Sequence, residues 1–377
     1  MLVFTDGCSH YDQANLSKKW DIVNSLGNGV TQSRTTNGRF GGGAITFTGN
    51  GGTSFDTPLY IQKNYDGVST IIIGVAVQQI ATQNTFGGQF LQFLDGNWVQ
   101  LGLAILPSGQ IQAFRANVVG VILHPTEGAK RIVLGTSTNS VNASSYDHLE
   151  IKVVFATGIG GSIEIKRNGL PFWTLTNINT ASSGVANNSS IMVGGYSAFG
   201  GASISMALKA NITDFHIVNT IVDGSQARNP IDFIGDRHWA STFPTADGAD
   251  KDFINSVTGN TTGDHFANVD EPVPNTTDFN SSNNVGDKDS FVISAPAGPS
   301  SAEVFISANF FAQKTGGGSN ELQAFIRNAS PAYKNGTGFQ VPVPWAVRQS
   351  FICEKVDGSA ITLGNIASLE VGYEKTI

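Results

Sequence analysis

Hydrophobic and polar positions alternate along much of this chain, in short runs closed by glycine turns. Over residues 147–155, Leu149, Ile151, Val153 and Phe155 fall on one face, and His148, Glu150 and Lys152 on the other. A period of two with one apolar face predicts a half-buried strand over a core, whose outward residues form a solvated surface. Ile163 and Ile165 repeat the alternation, and Asn168-Gly169 then supplies the strongest short hairpin signal. The same pattern predicts strands at 70–77, 90–94, 99–105, 110–115, 131–135, 161–166, 172–175, 190–194 and 210–218. Many short strands at this spacing indicate a sandwich or jelly roll. After a turn-rich stretch with one strand near 238–243, alternation returns at 302–312, with Val304, Ile306, Ala308 and Phe310 on one face. It continues at 322–327, 341–353 and 368–373. The predicted fold is all-β: an antiparallel jelly-roll β-sandwich over 1–219, a connector with long polar loops over 220–289, and a smaller C-terminal β-module over 290–377.

Composition narrows this reading. Of 377 residues, 44 are glycine and 14% are charged, which suits a turn-rich β protein better than a helical one. The net charge of −7 is scattered, with no basic stripe to neutralise phosphates, so nucleic acid is not an expected partner. No run approaches the length of a membrane helix, and no charged start with an apolar run marks a signal peptide. Cys8 and Cys353 lie at opposite ends of the chain and read as two isolated thiols, consistent with folding in a reducing cytoplasm.

Glycosidases need two carboxyls facing one sugar. Asp147 and Glu150 face opposite sides of a strand, whereas Glu150 and Glu164 could pair across strands. Lys152 and Lys166 share those faces, so a charge-paired surface is the simpler reading and no catalytic residue is assigned. The six histidines show no zinc spacing. The acids of residues 264–289 (Asp270, Glu271, Asp278, Asp287 and Asp289) lack the order of a known calcium loop, and no metal ligand or cofactor is assigned, with calcium as the alternative there. Ser9-His10 lacks the context of a nucleophile, and the glycine triplets at 41–43 and 316–318 lack a following helix and lysine. Among Trp20, Trp98, Trp173, Trp239 and Trp345, core packing is the default. Trp98, with Asp95 and Asn97 at the hairpin tip before it, is the candidate glycan contact.

These segments resemble known patterns. The opening at 38–47, the strand at 147–155 and the hairpin at 163–173 are similar to a laminin G/concanavalin-like jelly roll. Residues 232–237 (Asp-Phe-Ile-Gly-Asp-Arg), 243–248, 269–271 and 285–289 resemble segments of tailed-bacteriophage virion proteins. The resemblance implies a non-enzymatic virion structural protein, a tail, fibre or head-surface component folded in the bacterial host cytoplasm. Its implied partners are other virion proteins, copies of itself and host-surface glycan. Some jelly rolls of this class hold calcium at a loop rim. The alternatives are a carbohydrate-binding receptor-recognition lectin and, after it, a polysaccharide depolymerase.

Overall fold

The computed structural model describes residues 1–24, 30–49, 58–81, 83, 87–96, 98–116, 131–182, 184–196, 198–199, 202–205, 208–222, 224–273, 275–328 and 332–377. Two antiparallel sheets form the N-terminal sandwich. The eight-stranded sheet runs in the order Leu170–Ile178, Gly161–Arg167, Asp147–Val154, Thr70–Gln79, Lys209–Asn219, Ala44–Gly49, Val30–Thr35, with Leu2–Asp6 also paired to Lys209–Asn219. The seven-stranded sheet runs Arg131–Ser140, Gln110–Ala116, Trp98–Ile105, Gly88–Asp95, Asn188–Tyr196, Pro58–Val68, Ile22–Asn24.

The apolar rows meet between the sheets as alternation demands. Leu149, Ile151 and Val153 pack with Ile71, Ile73, Val75 and Val77 from one sheet, against Ile61, Leu91, Phe93, Leu101 and Val193 from the other. Each of these side chains is fully buried. Burying an aliphatic or aromatic side chain contributes about 1.5–3 kcal/mol, so this layer dominates the stability of the sandwich. Pro58–Val68 was not foreseen as a strand. Polar Gln62, Lys63, Asn64 and Asp66 interrupt its apolar signal, and Lys63 folds back to donate to the Lys19 carbonyl and to Asp21, each at 3.2 Å.

The C-terminal β-module is built on a five-stranded sheet, ordered Pro244–Lys251, Lys288–Ile293, Glu370–Lys375, Glu321–Arg327, Tyr333–Gln340. Its first strand, Pro244–Lys251, comes from the stretch read as connector, and residues 238–243, expected to form a strand, form none. Ile306–Ala312 pairs with Ala346–Ile352. Val304, Ile306, Ala308 and Phe310 pack onto Ala324, Ile326, Ile352, Ile361, Ile366 and Leu369. Cys8 and Cys353 are separate, buried thiols. No helix among the described residues is long and apolar enough to cross a membrane.

The outer face of the eight-stranded sheet corrects one expectation. His148 and Glu150 are buried, not solvated. Residues 231–239 lie across this face, and Ile234 joins Leu2, Ile72, Val218 and Phe351 of the C-terminal module in a second apolar cluster. Alternation identifies which residues point away from the sandwich core. It carries no information about a distant segment that later covers them.

Candidate functional site

Three segments converge at one corner of that covered face. The first is the glycine turn at 38–43, closed by a bond from Gly38 N to the Gly42 carbonyl at 2.9 Å. The second is a bulge in Lys209–Asn219: Thr213 pairs with Ala76 and His216 with Gly74, so Asp214 and Phe215 together oppose Val75. The bulge sends Phe215 into the core and leaves Asp214 at the corner. The third is the connector at 236–239.

Glu150 and Asp214 anchor the connector. The Glu150 carboxylate accepts the amides of Ile234 at 2.7 Å and Gly235 at 3.0 Å. Asp214 Oδ1 accepts the Trp239 amide at 2.9 Å and lies 3.0 Å from His238 Nδ1. His148 and His216 stack beneath, with ring centroids 5.7 Å apart. Burial, with the neighbouring His216, drives the His148 imidazole down to about 3, so it is neutral at ordinary pH.

The exposed rim is chemically different. Arg39 forks onto Asp236, with Nη1 on Oδ1 and Nη2 on Oδ2 at 2.6 Å. Burial alone would raise the Asp236 carboxyl, but the Arg39 hydrogen bonds and nearby positive charge hold it below the usual carboxylate range. The Arg39 guanidinium lies 4.6 Å from the Phe40 ring centroid. Phe40 stands edge-on to His238 at 4.9 Å and is 70% exposed. Its backbone is left-handed, with φ of 55°, and Asp214 on the other side of His238 has φ of 50°. A bulky residue in that region is a conformational outlier costing on the order of 1–3 kcal/mol. Here the strain holds an aromatic face in solvent beside a planar Arg–Asp pair and an imidazole.

The residues singled out from sequence lie elsewhere. Trp98 is half-buried at the start of Trp98–Ile105, paired across the hairpin with Asp95. Asp95 Oδ1 accepts Asn187 Nδ2 at 2.8 Å, so it is tied into the loop beside it. Asn97 lies outside the described residues. Glu150 is opposite Lys166, and Glu164 opposite Lys152, in the strand register, but the expected solvated charge pairing at Glu150 is corrected: its carboxylate is buried, and Lys152 reaches Asp232 at 3.0 Å instead. Because backbone amides take both Glu150 oxygens, that carboxylate faces the connector and not a sugar. Of the acids at 264–289, Asp289 is buried against His265 Nδ1 at 3.0 Å and Tyr373 Oη at 3.2 Å, and Asp287 accepts the Ser282 hydroxyl at 2.5 Å. Among the described residues, no group of three His, Cys, Asp or Glu side chains is placed to hold a metal.

Phe40, Asp214 and His238 were not foreseen as site residues. Alternation cannot locate a bulge, and a lone histidine in a turn-rich stretch carries no spacing signal. The one cue was Gly38-Arg39-Phe40-Gly41-Gly42-Gly43, a single Arg–Phe pair set among glycines.

No protein-family model matches the chain, and no curated protein matches it. Solved structures do. An endo-β-1,4-glucuronan lyase from the fungus Trichoderma reesei is 15% identical, covering 58% of this chain and 95% of its own, with a TM-score of 0.39. A PL-14 alginate lyase from Aplysia kurodai is 11% identical over 58% of this chain and 99% of its own, with a TM-score of 0.41. The binding domain of Paraclostridial Mosquitocidal Protein 1 is 13% identical over 57% and 48%, with a TM-score of 0.34. The expectation of a non-enzymatic virion structural protein is corrected here: the matching structures include polysaccharide lyases.

Proposed function

We propose that this chain is a carbohydrate-recognising protein whose sugar site is the corner formed by Arg39, Phe40, Asp236 and His238. The observation that carries the reading is Phe40, an aromatic ring held in solvent by a left-handed backbone. Sugar rings offer C–H faces that stack on aromatic rings and hydroxyls that suit planar, bidentate groups. The corner presents both kinds of surface within one ring's width. The test is a polysaccharide and glycan array with wild type and Phe40→Ala. Wild type binds at least one glycan, and the variant, folded by circular dichroism, loses ten-fold or more in affinity. Equal binding by both proteins would discard the site.

A second reading, polysaccharide cleavage, draws on the His238–Asp214 pair. A carboxylate that holds Nδ1 sets the tautomer and leaves Nε2 toward solvent, the arrangement of a general base. Incubating the protein with the polysaccharide it binds and assaying new chain ends tests this. Cleavage abolished by His238→Ala supports it, and intact polysaccharide removes it.

A further inference from the structure

The seam between the sandwich and the C-terminal module contains a lysine–asparagine pair that the proposed sugar site does not use. Lys19 ends the short helix Leu16–Lys19 and is 1% exposed. Its Nζ donates to Asn309 Oδ1, on the Ile306–Ala312 strand of the other module. The Asn309 carboxamide is fixed from both ends. Oδ1 also accepts Gln349 Nε2 at 2.9 Å, and Nδ2 donates to the Ser307 carbonyl at 3.2 Å. Gln349 is itself held by Thr5, whose amide donates to Gln349 Oε1 at 3.1 Å.

The amine sits in unusual surroundings. The Phe4 ring centroid is 5.3 Å from Lys19 Nζ and 5.0 Å from Lys63 Nζ. Trp20 packs edge-on to Phe4 at 5.0 Å, and Trp20 Nε1 and Tyr11 Oη donate to Asp6 Oδ2 at 2.8 and 2.6 Å. Among the described residues, Asn309 is the one side-chain acceptor recorded for Lys19 Nζ.

We propose that Lys19 and Asn309 join in an intramolecular isopeptide bond that ties the two modules together covalently. The Nζ lone pair attacks Cγ of Asn309, the Cγ–Nδ2 bond breaks, and one Nζ proton leaves with Nδ2 as ammonia. Amine plus carboxamide gives a secondary amide plus ammonia, so no oxidant, cofactor or outside reactant enters. Three features promote the step. Burial, reinforced by the Lys63 charge and opposed by Asp6, brings the Lys19 amine down to about 7, so a large share is neutral and nucleophilic at physiological pH. Gln349 polarises the carbonyl that must take up charge. Hydrogen-bond contact between the two side chains makes the reaction intramolecular, and a small rotation of the amine from Oδ1 toward Cγ brings it to the reacting atom. Asn309 itself is exposed, which gives the ammonia a way out.

The test is mass spectrometry of the purified full chain. Intact mass falls about 17 Da below that of the sequence, the mass of one ammonia. A protease digest yields a branched peptide joining the segment with Lys19 to the segment with Asn309. Lys19→Arg and Asn309→Ala each abolish both signatures. Recovery of the Lys19 and Asn309 peptides unlinked from wild type overturns the proposal, whether or not any variant folds. So does a 17 Da loss that survives Lys19→Arg, because a succinimide at another asparagine would then explain it.

Discussion

The imidazole of His216 lies directly over the backbone of Gly74. A Cβ on Gly74 would meet His216 Cε1 at 1.8 Å and Nε2 at 2.1 Å. The strand tolerates this because Gly74, in the middle of Thr70–Gln79, pairs with Glu150 on one side and His216 on the other. The glycine therefore sets the depth of the polar layer under the connector.

Gly74→Ala follows as the first prediction. The added methyl has to displace a fully buried ring between packed elements, and overpacking costs about 1–3 kcal/mol or more. Urea denaturation reads the loss. The double variant Gly74→Ala/His216→Ala recovers a large part of it, since truncating the ring opens the space the methyl needs. Additive losses in the double-mutant cycle would refute direct contact.

Glu150→Gln tests the connector's anchor. A carboxylate accepts the amides of Ile234 and Gly235, whereas a carboxamide has one acceptor oxygen for the two of them. Leaving a buried donor unpaired costs about 1–3 kcal/mol. Amide hydrogen exchange at Ile234 and Gly235 rises more than ten-fold, while exchange in the core strands Asp147–Val154 and Thr70–Gln79 changes little.

Acid should destabilise the fold at two separate buried histidines. His148 and His10 both have folded values near 3, lowered from 6.5 chiefly by burial. The unfolded chain binds protons at these positions that the folded chain refuses. Stability conferred by the neutral rings is therefore complete above about pH 6.5 and is lost as pH falls from there toward 3. Each histidine contributes a slope of up to about 1.4 kcal/mol per pH unit. Asp236, whose folded value is depressed, adds a loss in the same direction at the acid end. Denaturation midpoints at pH 7, 5.5 and 4 measure the slope. His148→Gln flattens it between pH 6 and 4, and an unchanged slope would relocate the effect.

Phe40→Gly separates stability from recognition. Glycine adopts φ of 55° without steric cost, so removing the strained phenylalanine leaves stability unchanged or raises it by about 1 kcal/mol. Glycan binding falls by ten-fold or more in the same protein. A variant that loses stability and keeps binding would contradict both halves of this expectation.

The legible part of this fold was whatever depends on neighbours in sequence. Leu149, Ile151 and Val153 declared their face, and the Asn168-Gly169 hairpin formed where the dipeptide predicted it, with Asn168 at φ of 52° and Gly169 at 80°. The register that sets Glu150 opposite Lys166 and Lys152 opposite Glu164 was not readable from alternation, which gives the face of a residue and not its cross-strand neighbour. What stayed hidden depends on partners far along the chain. His148 and Glu150 are covered by residues more than sixty positions away, and Asp214 reaches the corner through a bulge that no residue pattern announces. Pro244–Lys251 joined the C-terminal sheet although its composition is that of a loop, because Lys288–Ile293 supplies the pairing edge.

The pairing of Leu2–Asp6 with Lys209–Asn219 has a consequence for how the chain is made. Leu2–Asp6 cannot pair until its distant partner strand has been made. It waits for more than two hundred further residues, and Thr5 waits longer still for Gln349. Contacts this distant fold slowly and leave apolar strands such as Thr70–Gln79 uncovered during synthesis. An incomplete chain therefore presents apolar rows that invite aggregation until the distant strands arrive.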